Sequence, residues 1–220
     1  VLLVAVALCQ PPVSIPDLRA AGDPTASRAY FQPLIDELAA RRSARVEVVA
    51  TRNYWEAAYV PEVAPLARGW LRQADQAHHR LFLDGSVDAD SYREWLWDNG
   101  VGYVALAGAE PSWVGRREAE LIRAGLPYLT PVWQHPDWTL YEVAGAPSIV
   151  NPPTTLVSAV PALIVEIPAG DTLVRVRWSR WLRVTGPDGG PADETACLAP
   201  ADGWTMLRVT RAGHYTITGS

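Results

Sequence analysis

Residues 45–75 read RVEVVATRNYWEAAYVPEVAPLARGWLRQAD. The stretch opens with Val46, Val48 and Val49, β-branched residues around the charged Glu47, and this pattern predicts a short, half-buried strand. Planar hydrogen-bonding groups and aromatic rings follow closely, a mixture that suits a sugar or another polar ligand. We therefore expect this strand and the loop after it to organise the fold and to be the first place to look for a ligand.

Alternating helices and strands extend outward from this stretch. The predicted elements are a helix over 25–42, a short strand over 81–84, a helix from Asp88 or Asp90 to Asn99, a strand over 101–107, a helix over 115–124 and a strand over 138–143. Residues 101–107 form a strongly apolar run of strand length, which favours a central strand buried on both faces. This succession predicts a layered α/β domain spanning residues 11–146.

Beyond residue 146 the pattern becomes all-β. Proline-rich breaks interrupt the chain there, and no later segment has helical periodicity. The predicted strands cover residues 156–160, 162–167, 172–178, 181–185, 205–210 and 214–218. Their spacing predicts a small sandwich or half jelly-roll domain over residues 147–220. A unit of about 70 residues is marginally stable alone, so we expect it to pack on the α/β domain.

Composition and charge limit the classes of partner. The formal net charge of -5 and the pI near 5.4 argue against nucleic acid or an anionic membrane surface as the main partner. Ten Trp against two Phe is unusual, and excess Trp fits ligand platforms, domain seams and cores alike. Cys9 and Cys197 are too far apart in sequence to indicate a metal cluster or a disulfide framework, and a single bridge between them stays open.

The N-terminal residues, VLLVAVALC, are apolar but only about half as long as a bilayer-spanning helix. Pro11 and Pro12 end this segment, whatever its structure. Three interpretations are open for residues 1–10: the end of a truncated transmembrane helix, a buried strand, or the end of a signal segment.

The sequence contains no complete catalytic motif. A nucleophile elbow, a phosphate-binding loop and an H-E-x-x-H metal helix are all missing. The adjacent His78 and His79 cannot share a helix face as zinc ligands, so neither a metal nor a cofactor is predicted. Glu47 and Glu56 could act as the paired carboxylates of a glycoside hydrolase. The competing interpretation is that Glu47 pairs with an arginine such as Arg68 and fixes the loop on the strand.

Four segments, VEVVATRNYWEAAYV, LARGWLRQAD, YREWLWDNGVGYVAL and WTLYEV, resemble the C-terminal extracytoplasmic region of large polytopic membrane proteins from actinobacteria. Those proteins, mostly uncharacterised, look like C-type membrane glycosyltransferases, which use lipid-linked sugar donors. The resemblance covers residues 30–143. It implies that residues 1–10 end the last transmembrane helix, and that the chain lies at the cell membrane on the extracytoplasmic side. It also implies that the catalytic residues, unknown here, belong to a membrane part outside this chain.

The function implied by the resemblance is a noncatalytic domain that assists recognition of a glycan, an acceptor or a lipid-linked sugar at the cell envelope. Its partner is the transmembrane region of the same protein, and nucleic acid is not expected. The candidate ligand-binding residues are Glu47, Asn53, Trp55, Glu56, Arg68, Trp70, Gln73 and Asp75. Two alternatives are a free-standing carbohydrate-binding module that uses Trp178, Trp181 and Trp204, and a soluble glycoside hydrolase that uses Glu47 and Glu56.

Overall fold

The computed structural model describes residues 22–69, 76, 78–190 and 195–219. Its helices are α1 (Arg28–Ala39), α2 (Glu56–Tyr59), α3 (Arg80–Leu83), α4 (Ala89–Asp98) and α5 (Arg116–Ala124), with 3-10 turns at Pro24–Ala26 and Val60–Glu62. Its strands are β1 (Arg45–Val48), β2 (Val101–Ala107), β3 (Leu129–His135), β4 (Trp138–Val143), β5 (Thr155–Ser158), β6 (Leu163–Ile167), β7 (Gly170–Val174), β8 (Leu182–Thr185), β9 (Ala196–Ala201), β10 (Trp204–Val209) and β11 (Gly213–Gly219).

The described strands form three sheets. The first has the order β1-β2-β4-β3, and only its β1-β2 pair is parallel. The other two have the orders β7-β10-β9 and β5-β6-β11-β8, and all their pairs are antiparallel. With eleven described strands and few helices, the fold is β-rich.

Strand β2 is the buried centre of the first sheet. All seven of its residues are buried, and it lies between β1 and β4, as the apolar run predicted. Val104 and Leu106 belong to a core cluster that includes residues of α4 and α5. Tyr103 and Ala105 belong to a second cluster with residues of α1. The alternation of side chains along one strand thus serves two separate cores.

Helix α1 confirms the predicted helix before β1, within narrower bounds. The Ser27 side chain caps it by accepting a hydrogen bond from the Ala29 amide at 3.3 Å. Its buried face consists of Tyr30, Phe31, Leu34, Ile35 and Leu38, at helical spacing. The Trp138 indole donates to the Tyr30 carbonyl at 2.8 Å, which ties α1 to β4.

Two local predictions differ from the structure. Residues 81–84 were expected to form a strand, but Arg80–Leu83 is a single helical turn. A four-residue apolar run does not by itself distinguish a strand from a buried helical turn, and here only Phe82 is fully buried. Strands β3 and β9 lie where no strand was predicted, and each contains a proline, Pro131 or Pro200, which argues against a strand in a sequence.

The second and third sheets enclose a common apolar core. Val165 on β6, Leu207 on β10 and Tyr215 on β11 are completely buried in it. These sheets resemble a sandwich, as the strand spacing predicted for this part of the chain.

Arg45, the first residue of β1, joins the first sheet to the later strands. Its guanidinium donates to the Asn99 carbonyl at the end of α4 and to the Arg175 carbonyl just after β7, both at 2.5 Å. The side chain is nearly fully buried, and its Nε has no partner among the described residues. Burial, together with Arg177 and Arg175, lowers its pKa to about 10. One cation therefore connects three elements.

Several predictions fall outside the described residues. Residues 1–10, with Cys9, are among them, and so are Trp70, Gln73 and Asp75. Cys197 is exposed and forms no disulfide within the described part of the chain. None of the described helices is long and apolar enough to cross a membrane.

Candidate functional site

The loops that follow the parallel strands β1 and β2 lie side by side. Thr51 and Pro111 form an antiparallel bridge, and the Ser112 amide donates to the Ala50 carbonyl at 2.8 Å. In open α/β sheets, ligands bind in the crevice at the carboxyl ends of the strands, and β1 and β2 are the parallel pair of this sheet. We call residues 49–56 and 108–115 the carboxyl edge and treat it as the candidate site.

Two tryptophans project from the carboxyl edge. Trp113 is 62% exposed and Trp55 is 39% exposed, although both are large apolar side chains. The Trp55 ring stacks on Tyr59 with centroids 5.5 Å apart and planes 15° apart, so its orientation is fixed. An exposed aromatic ring held in place by a neighbouring ring, as Trp55 is by Tyr59, can stack on the apolar face of a sugar ring.

Strained backbone lies next to Trp55. Tyr54 has a φ of 59°, in the left-handed region that a bulky side chain rarely adopts. Such strain persists where the surrounding structure imposes it, and it is frequent at ligand sites. We infer that tertiary contacts, rather than local preference, hold the turn that precedes Trp55 in this conformation.

Polar groups flank the exposed rings. The Asn53 amide donates to the Thr25 hydroxyl at 3.4 Å, a long hydrogen bond, and the exposed Arg52 lies 3.9 Å from Asp23. Neither contact fully occupies the polar side chain, because an amide and a guanidinium each carry several further hydrogen-bonding positions. Asn53 and Arg52 thus retain donors for a ligand at the carboxyl edge.

Glu56 lies beneath the edge. It is buried, and its carboxylate accepts hydrogen bonds from the Thr51 hydroxyl and, at 3.1 Å, from the Thr51 amide. Burial raises its pKa to about 7, although the hydrogen bonds from Thr51 oppose the shift. The carboxyl group therefore fixes the turn from Thr51 into α2 and titrates near neutrality.

Deeper in the core, Arg68 lies between two fully buried glutamates. It donates through Nε to Glu47 at 2.8 Å and through Nη2 to both Glu47 and, at 2.5 Å, Glu118. The Tyr92 hydroxyl donates to the other Glu118 oxygen at 2.7 Å. We call Glu47, Arg68, Tyr92 and Glu118 the buried ion cluster. The predicted pairing of Glu47 with Arg68 is confirmed.

Aromatic rings close the buried ion cluster from the side of α3 and α4. The Arg68 guanidinium carbon lies 3.7 Å from the centre of the Phe82 ring and 5.6 Å from that of Trp95. The Trp95 indole in turn donates to His79 Nδ1 at 3.1 Å. Burial, assisted by the charge of Arg68, lowers the pKa of His79 to about 4, so this imidazole is neutral.

The buried ion cluster contains two acids and one cation, and its Glu47 holds a proton more tightly than an exposed glutamate does. Burial raises the pKa of Glu47 to about 8, and the nearby Glu118 adds to the rise although Arg68 opposes it. Burial lowers the pKa of Arg68, but Glu118 and Glu47 outweigh it and raise that pKa overall. Glu47 Oε2 and Arg68 Nη1 have no partner among the described residues. The group is enclosed and resembles a structural ion pair more than a catalytic centre.

The structure divides the predicted site residues into two groups. Asn53 and Trp55 lie at the surface of the carboxyl edge, with Glu56 just below it, whereas Glu47 and Arg68 are enclosed in the core. Both carboxyls of the hydrolase alternative are therefore buried and already hydrogen-bonded by protein groups. Nothing in this geometry favours a sugar between Glu47 and Glu56.

Sequence reasoning missed Trp113, Tyr92 and Glu118. A signal for Trp113 exists, since it follows the apolar strand β2 as Trp55 follows β1, but using it requires knowing that the two strands are parallel neighbours. Glu118 lies in the segment RREAE, where any of the charged residues looks solvent-exposed. No sequence signal marks it as the buried one.

Two of the three tryptophans of the carbohydrate-module alternative have arginine side chains packed against their rings. Trp204 is covered by the Arg177 guanidinium, 3.7 Å from its ring centre. Trp181 is half-exposed, with the Arg180 guanidinium 4.7 Å from its ring centre.

Within the described residues, no group of three or more His, Cys, Asp or Glu side chains is placed to hold a metal ion. Comparison with known proteins adds no family assignment: no family model, no curated protein and no solved structure matches this chain.

Proposed function

We propose that this chain is a noncatalytic, extracytoplasmic C-terminal domain of a polytopic, glycosyltransferase-like membrane protein, and that it assists recognition of a glycan or acceptor at the cell envelope. In this proposal residues 11–146 form a layered α/β domain and residues 147–220 form a sandwich-like β domain. The transmembrane region of the same protein is the partner, and the ligand is a glycan or a lipid-linked sugar.

The observation that carries the proposal is the pair of exposed tryptophans at the carboxyl edge. Trp55 and Trp113 stand on adjoining loops, and Asn53 and Arg52 supply polar groups beside them. Aromatic faces for the apolar side of a sugar and planar donors for its hydroxyl groups are the two components that glycan recognition needs.

The noncatalytic part of the proposal is supported by the state of the acidic residues. Glu47, Glu56 and Glu118 are buried, and each accepts hydrogen bonds from protein groups. A catalytic carboxyl must come within hydrogen-bond reach of the substrate. Enclosed carboxyls that organise the loops fit a supporting domain better than an enzyme.

The test compares the full 220-residue chain with its Trp55→Ala and Trp113→Ala variants on a panel of defined oligosaccharides. We expect each variant to bind the best oligosaccharide roughly five- to tenfold more weakly, because one aromatic contact contributes about 1 kcal/mol. Trp97→Ala is the matched control, since Trp97 is similarly exposed but lies on α4. Calorimetric titration gives the affinities, and thermal melting shows that the variants fold.

Three outcomes contradict the glycan proposal: no oligosaccharide binds the unmodified chain, both edge variants bind normally, or Trp97→Ala weakens binding as much as they do. The membrane part has a separate test, the genomic sequence upstream of Val1. The proposal expects a run of hydrophobic spans there, and a stop codon with no such spans rejects it.

A further inference from the structure

A cavity lies at the opposite end of β1 from the carboxyl edge. It has a volume of about 250 Å³ and lies between the end of α1, the start of β1 and strand β5. Its wall includes Leu38, Arg41, Arg42 and Tyr103 from the first part of the chain and Val157 and Ser158 from the second. We call it the seam pocket. Small-molecule sites occur preferentially at such junctions.

Two arginines dominate the chemistry of the seam pocket. The guanidinium carbons of Arg41 and Arg42 lie 5.5 and 5.4 Å from the centre of the buried Tyr103 ring. No acidic residue belongs to the wall of the pocket. The charged side chains of the wall are both arginines, and each also contacts a glutamate that lies outside the wall.

Neither arginine is saturated by its acidic neighbour. Arg41 contacts Glu37 Oε1 through both Nε and Nη2 at 2.6 Å, and its Nη2 also donates to the Val132 carbonyl at 3.1 Å, which leaves Nη1 for a ligand. Arg42 donates one Nη2 hydrogen bond to Glu142 at 3.0 Å. A guanidinium has five N–H groups, so most of those on Arg42 remain for a ligand. The Arg42–Glu142 pair is also exposed, and exposed ion pairs are weak enough to rearrange.

Helix capping explains only part of this arrangement. Cations are favourable near a helix C-terminus, and both arginines directly follow the end of α1. Capping, however, does not require a cavity whose wall holds two guanidinium groups. Such a cavity suits an oxyanion, because planar guanidinium groups match carboxylate and phosphate oxygens.

We propose that the seam pocket binds a small ligand of about monosaccharide size that carries one carboxylate or phosphate group. Arg42 holds the oxyanion, Arg41 supports it, and Leu38 and Val157 contact the uncharged body of the ligand. The pocket is smaller than the roughly 300–1,000 Å³ of drug-sized sites, which sets the size of the ligand. This site is separate from the carboxyl edge and does not depend on the proposed glycan function.

The test titrates the full chain with glucuronate, glucose 6-phosphate, glucose and inorganic phosphate, and follows binding by NMR. We expect saturable binding of one or both acidic sugars, weaker binding of phosphate alone, and no binding of glucose. Arg42→Ala should weaken acidic-sugar binding at least about tenfold, the loss of one charge-assisted contact. Arg93→Ala is the control, since Arg93 also packs on an aromatic ring but belongs to α4.

A second variant, Val157→Trp, checks the location of the site without removing a charge. Val157 is exposed at the mouth of the pocket, so the larger side chain should block entry while the fold is kept. Unchanged acidic-sugar binding in Val157→Trp or in Arg42→Ala overturns the proposal. So does binding of glucose as tight as that of glucuronate, or the absence of saturable binding by every probe. Loss of binding in both variants, with Arg93→Ala unaffected, supports it.

Discussion

The buried ion cluster and the carboxyl edge each take residues from the stretch 45–75, and they use polar and aromatic residues in opposite ways. Glu47 and Arg68 are enclosed in the core, where Phe82 and Trp95 cover the guanidinium. At the carboxyl edge Trp55 instead faces outward from a turn that Glu56 holds from below. Richness in polar and aromatic residues therefore does not locate a ligand site by itself. Which side chains remain at the surface depends on their partners.

The largest expected effect comes from removing Arg68, which tests whether the buried ion cluster is structural. Arg68→Ala leaves two buried carboxyls without their cation, and we expect a loss of about 3–5 kcal/mol in the free energy of unfolding. Urea denaturation followed by circular dichroism measures it. Arg80→Ala is the control, because Arg80 is mostly exposed in a surface ion pair, and its loss should change stability by less than about 1 kcal/mol. A loss from Arg68→Ala no larger than that of the control would contradict the structural role.

The next largest effect is the pH dependence of stability that Glu56 contributes at the carboxyl edge. An unfolded glutamate ionises near its ordinary pKa of 4.5, whereas the folded Glu56 keeps its proton up to about pH 7. Between these values the unfolded state releases the proton first, so stability falls as pH rises, by about 3 kcal/mol in total. Glu56→Gln cannot ionise and should lose this part of the pH dependence.

The measurement for Glu56 is the difference in unfolding free energy between Glu56→Gln and the unmodified chain at pH 5 and at pH 8. The variant should gain stability relative to the unmodified chain at the higher pH. Equal differences at both pH values would show that burial does not hold the proton on Glu56.

The smallest expected effect is the change in stability with pH that Glu47, one of the two acids around Arg68, contributes above pH 7. Because the pKa of Glu47 is raised to about 8, this residue is mostly protonated at pH 7, and Glu47→Gln resembles the group already present. We expect the difference in unfolding free energy between Glu47→Gln and the unmodified chain to grow by only about 1 kcal/mol between pH 7 and pH 9. Most of the loss from Glu47 occurs below pH 7, where the unfolded glutamate is already ionised, and the loss ends once the pH passes the folded pKa of about 8. Thermal melting of both proteins at the two pH values tests this.

Local patterns predicted a good part of the fold and a smaller part of the site. The β-branched run of β1, the apolar run of β2 and the spacing in α1 each identify an element, because each is a property of neighbouring residues. The pairing of Glu47 with Arg68 also followed from their chemistry. Glu118 lies 50 residues from Arg68, and the tertiary fold alone makes it a partner.

The same physical reason explains why half of the carboxyl edge was missed. Trp113 becomes relevant only because β1 and β2 are parallel neighbours, which brings the loop after β2 against Ala50 and Thr51. Strand pairing joins residues that are far apart in sequence, so local sequence patterns do not reveal which strands pair. The exposure of Trp55 likewise depends on the neighbouring Tyr59 and on the backbone at Tyr54.

Arg45 has a consequence for how the protein could be divided in the laboratory. Its guanidinium is satisfied partly by the Asn99 carbonyl and partly by the Arg175 carbonyl, which belongs to the later strands. A fragment that ends at residue 146 keeps the first acceptor and loses the second, so one face of a buried cation becomes open to solvent. Each part therefore supplies contacts that the other part needs, and the chain is best expressed and assayed whole.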